Sequence, residues 1–295
     1  MKALILEGGA MRTVHSAGAL TALSEMGIKH DHFDLVFGAS AGACNGAYFV
    51  ADQSSHFWEM WTKTMLTPDF INLRNAFSLT KPIIDVNFVV EEIMSKHHKI
   101  DLDKIISSKT KFYTVVTNCS NGQPEYFLND KKESFFNIIK ASASIPILYN
   151  KSVEINGQEY MDGAITDGLP IKKAIEMGAT EIYVLLTRHE GYKKTKTLTD
   201  TISANICRKY PFIKQAILER YIDYNQSMET IENNKDVNIT IIRPKYNLGV
   251  TRVTNDPKKI KNAFLVGYKD AVEVLKKKNI SFENLPTELK INNKK

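Results

Sequence analysis

The stretch Asp34-Leu35-Val36-Phe37-Gly38-Ala39-Ser40-Ala41-Gly42 decides the fold, because an apolar extended run breaks into small residues and opens a helix-compatible segment from Ala41 to Ala51. A serine held between a strand and a helix sits on a sharp, strained turn. Only small neighbours let its hydroxyl stand clear while the next backbone N–H points at an acyl oxygen. Gly38, Ala39, Ala41 and Gly42 are all small, which makes Ser40 a candidate nucleophile. A pentapeptide of this form also marks ordinary turns, and the strand before it and helix after it are what favour chemistry.

Two further elements work outward from the elbow. At the N-terminus, the strand-like Lys2 to Leu6 runs into Glu7-Gly8-Gly9-Ala10-Met11-Arg12 and then a helical pattern from Val14 to Met26. Successive glycines let N–H groups converge on one point, and the helix N-terminus adds its positive end, so this nest suits a phosphate or a transient oxyanion. The dinucleotide fingerprint and the P-loop pattern are both absent, which argues against a nucleotide site. The third element is Asp162-Gly163-Ala164, which follows alternating residues on either side of Asn156-Gly157. It reads as a hairpin that delivers an aspartate to a loop.

In this order, the glycine loop with Arg12, the Gly38 to Gly42 elbow and the Asp162-Gly163-Ala164 triplet resemble the patatin-like phospholipases, a family of serine acyl hydrolases. The resemblance covers roughly residues 1–180. It implies a three-layer α/β/α sandwich with a mostly parallel central sheet. It also implies Ser40 as nucleophile, Asp162 as its base, and backbone N–H groups of Gly8, Gly9 and Ala10 as oxyanion donors. The substrate implied is a lipid or other acyl ester, cleaved without metal or organic cofactor. The family's glycine-rich first motif is altered here: Ala10 and Thr13 stand where glycines are usual. A methyl group at a position that needs positive φ costs on the order of 1 kcal/mol. A patatin fold that binds or regulates lipid without turnover is therefore the alternative reading.

The rest of the chain fits this frame. Strand-like runs at Ala3 to Leu6, Leu35 to Phe37, Phe112 to Thr117, Ile182 to Thr187 and Val237 to Ile242 alternate with helical stretches, the pattern of a mostly parallel α/β sheet. Residues 181–278 are expected to complete the same domain, and 279–295 to form a polar tail. Gly27 suits a helix C-terminus, and Asp256-Pro257 caps a helix with Ile260, Phe264 and Ala271 on one face. The aromatic-rich segment from His56 to Phe77 is expected to serve mainly as core, with an acyl pocket as its other use. Tyr192 to Asp200, rich in lysine, is read as a surface loop. His189 alone follows Asp162 in the order of a full triad, but the early elbow argues against one.

Composition excludes several classes. The chain has 295 residues, 43% hydrophobic, with a net charge of +6 from scattered lysines. Nucleic-acid binding is not expected, while a weak attraction to anionic membrane surfaces is compatible with the charge. Three dispersed cysteines, Cys44, Cys119 and Cys207, argue for a reducing compartment. No secretory signal is read at the N-terminus, which makes the cytoplasm the expected location. No apolar run reaches membrane-spanning length, and no histidine–cysteine spacing or calcium-loop pattern points to a metal.

Overall fold

The run Ala3-Leu4-Ile5-Leu6 has no polar residue to turn toward water, so a strand built from it needs cover on both faces. In the computed structural model, which describes residues 1–78, 81–149 and 151–278, this run forms the centre of an eight-stranded mixed sheet. Strand β1 (Lys2–Leu6) lies between β2 (Leu35–Ala39) and β7 (Glu181–Leu185), and β8 (Asn238–Ile242) adds beyond β7, all parallel. Alternate side chains feed two cores. Leu4, Leu6, Val36 and Tyr183 face one, while Ala3, Ile5, Leu35, Phe37 and Val184 face the other.

The first core is closed by α1 (Val14–Glu25), α2 (Ala41–Val50) and, further along the chain, α3 (Lys132–Ser142). The second is closed by α4 (Ile171–Glu176) and, through Tyr224, Met228 and Ile231, by α6 (Pro211–Asn233). α5 (Leu198–Ile206) packs on α6. α7 (Pro257–Lys277), capped by the Asp256 carboxylate on two N–H groups, runs along α1. The two helices touch backbone to backbone: a Cβ on Gly18 would lie 2.0 Å from the Phe264 carbonyl oxygen, and one on Gly267 1.9 Å from that of His15. The buried His15 ring bonds Asp270 across the same seam at 2.8 Å. The C-terminal helix is thereby docked onto the helix that leaves the glycine loop.

The strand β3 (Lys111–Asn118) sets the position of the site. It pairs in parallel with β2 through Ala39↔Val115, and antiparallel with β6 (Gln158–Asp162) through Val116↔Asp162. It also pairs with β4 (Pro124–Leu128) over Tyr113 to Thr117, a span overlapping both. One strand edge holds one partner at a time. β4 therefore occupies one edge, and β2 and β6 share the other, meeting end to end. Ala39 stops opposite Val115 and Asp162 arrives opposite Val116, so the residue that turns away next, Ser40, is delivered beside Asp162. The hairpin that brings β6 back from β5 (Val153–Ile155) turns through Asn156 (φ 53°) and Gly157 (φ 78°), the left-handed pair that an Asn-Gly turn supplies.

Candidate active site

Ser40 stands at φ 55°, ψ −133° between β2 and α2, a conformation that persists only where surrounding structure forces it. The force is visible. The Ser40 N–H donates to Ser142 Oγ at 2.8 Å, and the Ser142 hydroxyl donates to the Val115 carbonyl at 2.6 Å, at the join where β2 gives way to β6. Gly42 lets α2 start hard against β1, since a Cβ there would lie 2.3 Å from the Leu6 carbonyl oxygen.

Asp162 is fully buried. Its backbone is tied at both ends, N–H to the Ser144 carbonyl at 3.2 Å and carbonyl to the Thr117 hydroxyl at 2.8 Å. Oδ1 accepts the Ala164 N–H at 2.8 Å, as the Asp-Gly-Ala triplet turns into a short 3-10 helix. Oδ2 is buried without a hydrogen bond of ordinary geometry. Oδ2 therefore makes no direct hydrogen bond of ordinary geometry to the Ser40 hydroxyl, which is nevertheless near enough to act on the carboxyl. Burial pushes the Asp162 carboxyl up to about 6, against the opposing pull of the Ser40 hydroxyl, the Ala164 N–H and the more distant Arg252 and Arg220.

The glycine loop passes over Ser40. Its backbone bonds use Glu7 N–H (to Leu185), Met11 N–H (to Arg252) and Arg12 N–H (to Gly9). Among the described residues, this leaves the N–H groups of Gly8, Gly9 and Ala10 without a backbone acceptor. Ala10 holds φ 48°, the backbone a glycine adopts freely. Thr13 is helical at φ −70° and donates its hydroxyl to the Ala10 carbonyl at 2.7 Å. One replaced glycine is therefore strained, and the other ties the turn down. Ala10→Gly is expected to relieve about 1 kcal/mol and raise Tm by a few degrees, a shift that differential scanning calorimetry reads directly.

Two cavities meet at this serine, and both are lined by Ala10, Ser40 and Ile145. One is apolar and narrow, about 50 Å³, walled by Tyr48, Met60, Trp61, Met65, Phe70 and Met94. Met60 and Trp61 come from the aromatic-rich segment, so it builds pocket wall as well as core. Cys44 lines the same pocket, and burial pushes its thiol up to about 12, which keeps it unreactive. The other cavity is polar and carries Glu7, Arg12, Asp162, Arg188, Lys194 and Arg252 among its lining. No histidine among the described residues lines either one. His189 bonds the Glu190 carbonyl instead. His98 is buried against His56 and bonds Thr64. Sequence reading missed Ser142, Arg188, Lys194, Arg220 and Arg252. The only signal for any of them was the position of Arg188 just past a parallel strand's carboxyl end.

A strained serine elbow at the carboxyl end of a mostly parallel sheet, roofed by a glycine loop, defines a class of α/β protein. The chain belongs to the patatin-like phospholipase family, whose profile matches residues 4–175, more than half of its length. A second profile, a domain of unknown function designated DUF6363, matches residues 210–279. A relative in Escherichia coli (strain K12), the uncharacterized protein YjjU, is 31% identical over 189 residues, 63% of this chain and 51% of its own. The matched stretch spans about half of that relative. The crystal structure of VipD from Legionella pneumophila superposes with a TM-score of 0.48 and 14% identity, covering 94% of this chain and 67% of that one. No helix among the described residues is long and apolar enough to cross a membrane.

Proposed function

We propose that the chain hydrolyses lipid acyl esters through an acyl-Ser40 intermediate, with Asp162 as the base. The observation that carries this reading is the unpartnered, buried Asp162 Oδ2 beside a serine held at the mouth of an apolar pocket. Ser40 Oγ attacks the ester carbonyl carbon as its proton passes to Asp162 Oδ2. The tetrahedral oxyanion is held by the free N–H groups of Gly8 to Ala10, each donor of this kind contributing a few kcal/mol. Collapse breaks the bond to the alcohol oxygen, which takes the proton from Asp162 and leaves. Water then attacks the acyl-Ser40 ester, giving its proton to Asp162, and the released Ser40 oxygen takes it back.

The apolar pocket takes the acyl chain. It is too narrow for a long chain as it stands, and the unbranched Met60, Met65 and Met94 are the side chains that can open it. Contact with a lipid surface belongs to the same reading. Leu198, Ile202 and Ile206 form an exposed stripe at four-residue spacing on α5, and the flanking sequence carries exposed Lys193, Lys196, Arg208, Lys209 and Phe212. A fluorophosphonate probe followed by peptide mass spectrometry tests the proposal. The expected result is a single adduct on Ser40, absent in Ser40→Ala; folded protein that stays unlabelled would replace turnover with lipid binding.

A further inference from the structure

The buried carboxyl beside Ser40 takes much of its electrostatic surroundings from the far end of the chain. The polar cavity is lined by charged groups of both signs. Glu7 and Arg12 come from the glycine loop, Asp167 from the turn after the Asp-Gly-Ala triplet, and Arg188 and Lys194 from the loop after β7. Arg220 and Asp223 come from α6, and Arg252 from the turn before α7. The hydroxyls of Tyr192 and Tyr224 complete the titratable lining, and Cys44 of α2, coupled to Asp162, stays a neutral thiol. Three of the carboxylates are engaged elsewhere: Glu7 accepts the Thr187 N–H, Asp167 accepts the Tyr126 hydroxyl at 2.6 Å, and Asp223 lies among Glu219, Lys172 and Lys194. After burial and its own hydrogen bonds, the charges that bear most on Asp162 are those of Arg252 and then Arg220. Both fall within residues 210–279, the stretch matched by the domain of unknown function. The two differ in availability. Arg220 already pairs with Asp200, whereas Arg252 makes no ion pair among the described residues.

The turn that presents Arg252 is built to hold it still. Val250 is buried in the first core, with Leu248 and Val253 packed against it. Between them, the Thr251 N–H donates to the Thr254 hydroxyl at 2.8 Å and the Val253 N–H to the Thr251 hydroxyl at 3.3 Å. The Arg252 carbonyl accepts the Met11 N–H at 3.4 Å, on the loop whose preceding N–H groups face the oxyanion position. Past the turn, α7 is fastened to α1 by the close Gly18 and Gly267 approach and by the bond from His15 to Asp270. The guanidinium is thus fixed relative to the glycine loop at both the turn and the helix that follows. Burial and the neighbouring Arg12 and Arg220 lower Arg252 to about 9, against the pull of Asp162, which leaves it charged at neutral pH.

We propose that Arg252 is a positioning residue of this site: pinned to the oxyanion loop through its carbonyl, it sets a permanent positive charge on the cavity that Asp162 lines, so that residues 210–279 govern the base of a reaction whose nucleophile lies in residues 4–175. The inference rests on the hydrolase reading. Only the carboxylate form of Asp162 can take the Ser40 proton, and burial works against that form. A fixed cation nearby offsets part of the penalty. Its charge acts through Asp162 and requires no contact with the ester.

The test follows the rate of fluorophosphonate labelling of Ser40 from pH 5 to pH 9 in wild type, Arg252→Gln and Arg252→Lys. The Asp162 carboxyl is titrated in the same proteins by ¹³C NMR, with its resonance assigned through Asp162→Asn. Every substitution at 252 keeps the backbone carbonyl, so the bond to Met11 stays and the charged head alone changes. The midpoint of the labelling profile is expected to rise by about one pH unit in Arg252→Gln, which lowers labelling at pH 6 about fivefold and leaves it nearly unchanged at pH 9. Arg252→Lys is expected to restore most of the wild-type profile. Labelling that falls by one factor at every pH, with the midpoint unmoved, makes Arg252 a structural residue only and overturns the proposal, as does a profile that Arg252→Gln leaves unchanged. Folded wild type that is never labelled sinks the hydrolase reading, and the carboxyl titration then decides separately: a midpoint moved by Arg252→Gln keeps the coupling between the two segments, and an unmoved one overturns that as well.

Discussion

Asp162→Asn is expected to lower kcat by roughly 10³-fold or more while making the protein more stable at neutral pH. Both effects come from one carboxyl. Burial raises it to about 6, so it is ionised and able to take the Ser40 proton only above that pH. The rate is expected to climb with pH through about 6 and then level off. The stability effect has the opposite sense. In the unfolded chain this carboxyl titrates near its ordinary 3.8, so between about pH 4 and pH 6 the folded state binds more protons than the unfolded one. Stability is therefore fullest below this window and declines as pH rises through it. The neutral asparagine escapes that loss, which for a shift of this size amounts to about 3 kcal/mol at most. Thermal melts of both proteins at pH 4 and pH 8 give the check: the gain in Tm should appear at pH 8 and shrink at pH 4. Undiminished turnover in the variant would mean that another group takes the serine proton.

Such a trade identifies what the sequence made legible and what it hid. Ser40 and Asp162 lie 122 positions apart in the numbering of the chain, yet each announces itself locally. An elbow needs small residues around the serine, and an Asn-Gly hairpin with an aspartate at its end has few other readings. Their convergence depends on β3, whose one edge serves β2 and then β6, and that pairing register has no local signature. β4 went unread because every residue of Pro124–Leu128 is half-buried, which blurs the alternation that marks a strand. α6 was obscured for a sharper reason. Its buried positions are Ile213, Ile217, Arg220, Tyr224, Met228 and Ile231, a regular helical stripe interrupted in the middle by an arginine. The polar cavity draws on the 3-10 turn of the glycine loop, a strand end, two loops and that helix, through positions 12, 188, 194, 252 and 220. No spacing rule connects those residues. The lysine-rich loop read as plain surface supplies Lys194, which turns inward over Tyr224.

The arginine inside the α6 stripe leads to the other large expected effect. Asp200→Ala is expected to cost about 3–5 kcal/mol, because it strands a buried guanidinium. Arg220 and Asp200 are both almost wholly buried and form an ion pair between α6 and α5. Asp200 also closes the capping box of α5, accepting from Thr197 N–H at 2.8 Å and from its hydroxyl at 2.7 Å. Burial alone would raise the Asp200 carboxyl, but Arg220 and the Thr197 bonds outweigh it and hold the group below its ordinary value. Its contribution is therefore present above about pH 4 and lost as pH falls through the depressed value. Wild type and variant are expected to converge in urea denaturation at acid pH and to differ most near neutrality. Replacing the pair together, Asp200→Leu with Arg220→Met, removes both charges and is expected to recover much of the lost stability, since apolar substitutes for a buried pair are often neutral or better. The double variant would then separate two roles of Arg220. If stability returns while fluorophosphonate labelling of Ser40 slows, Arg220 also acts on the cavity that it lines beside Ser40; if labelling is untouched, Arg220 serves only to join the helices.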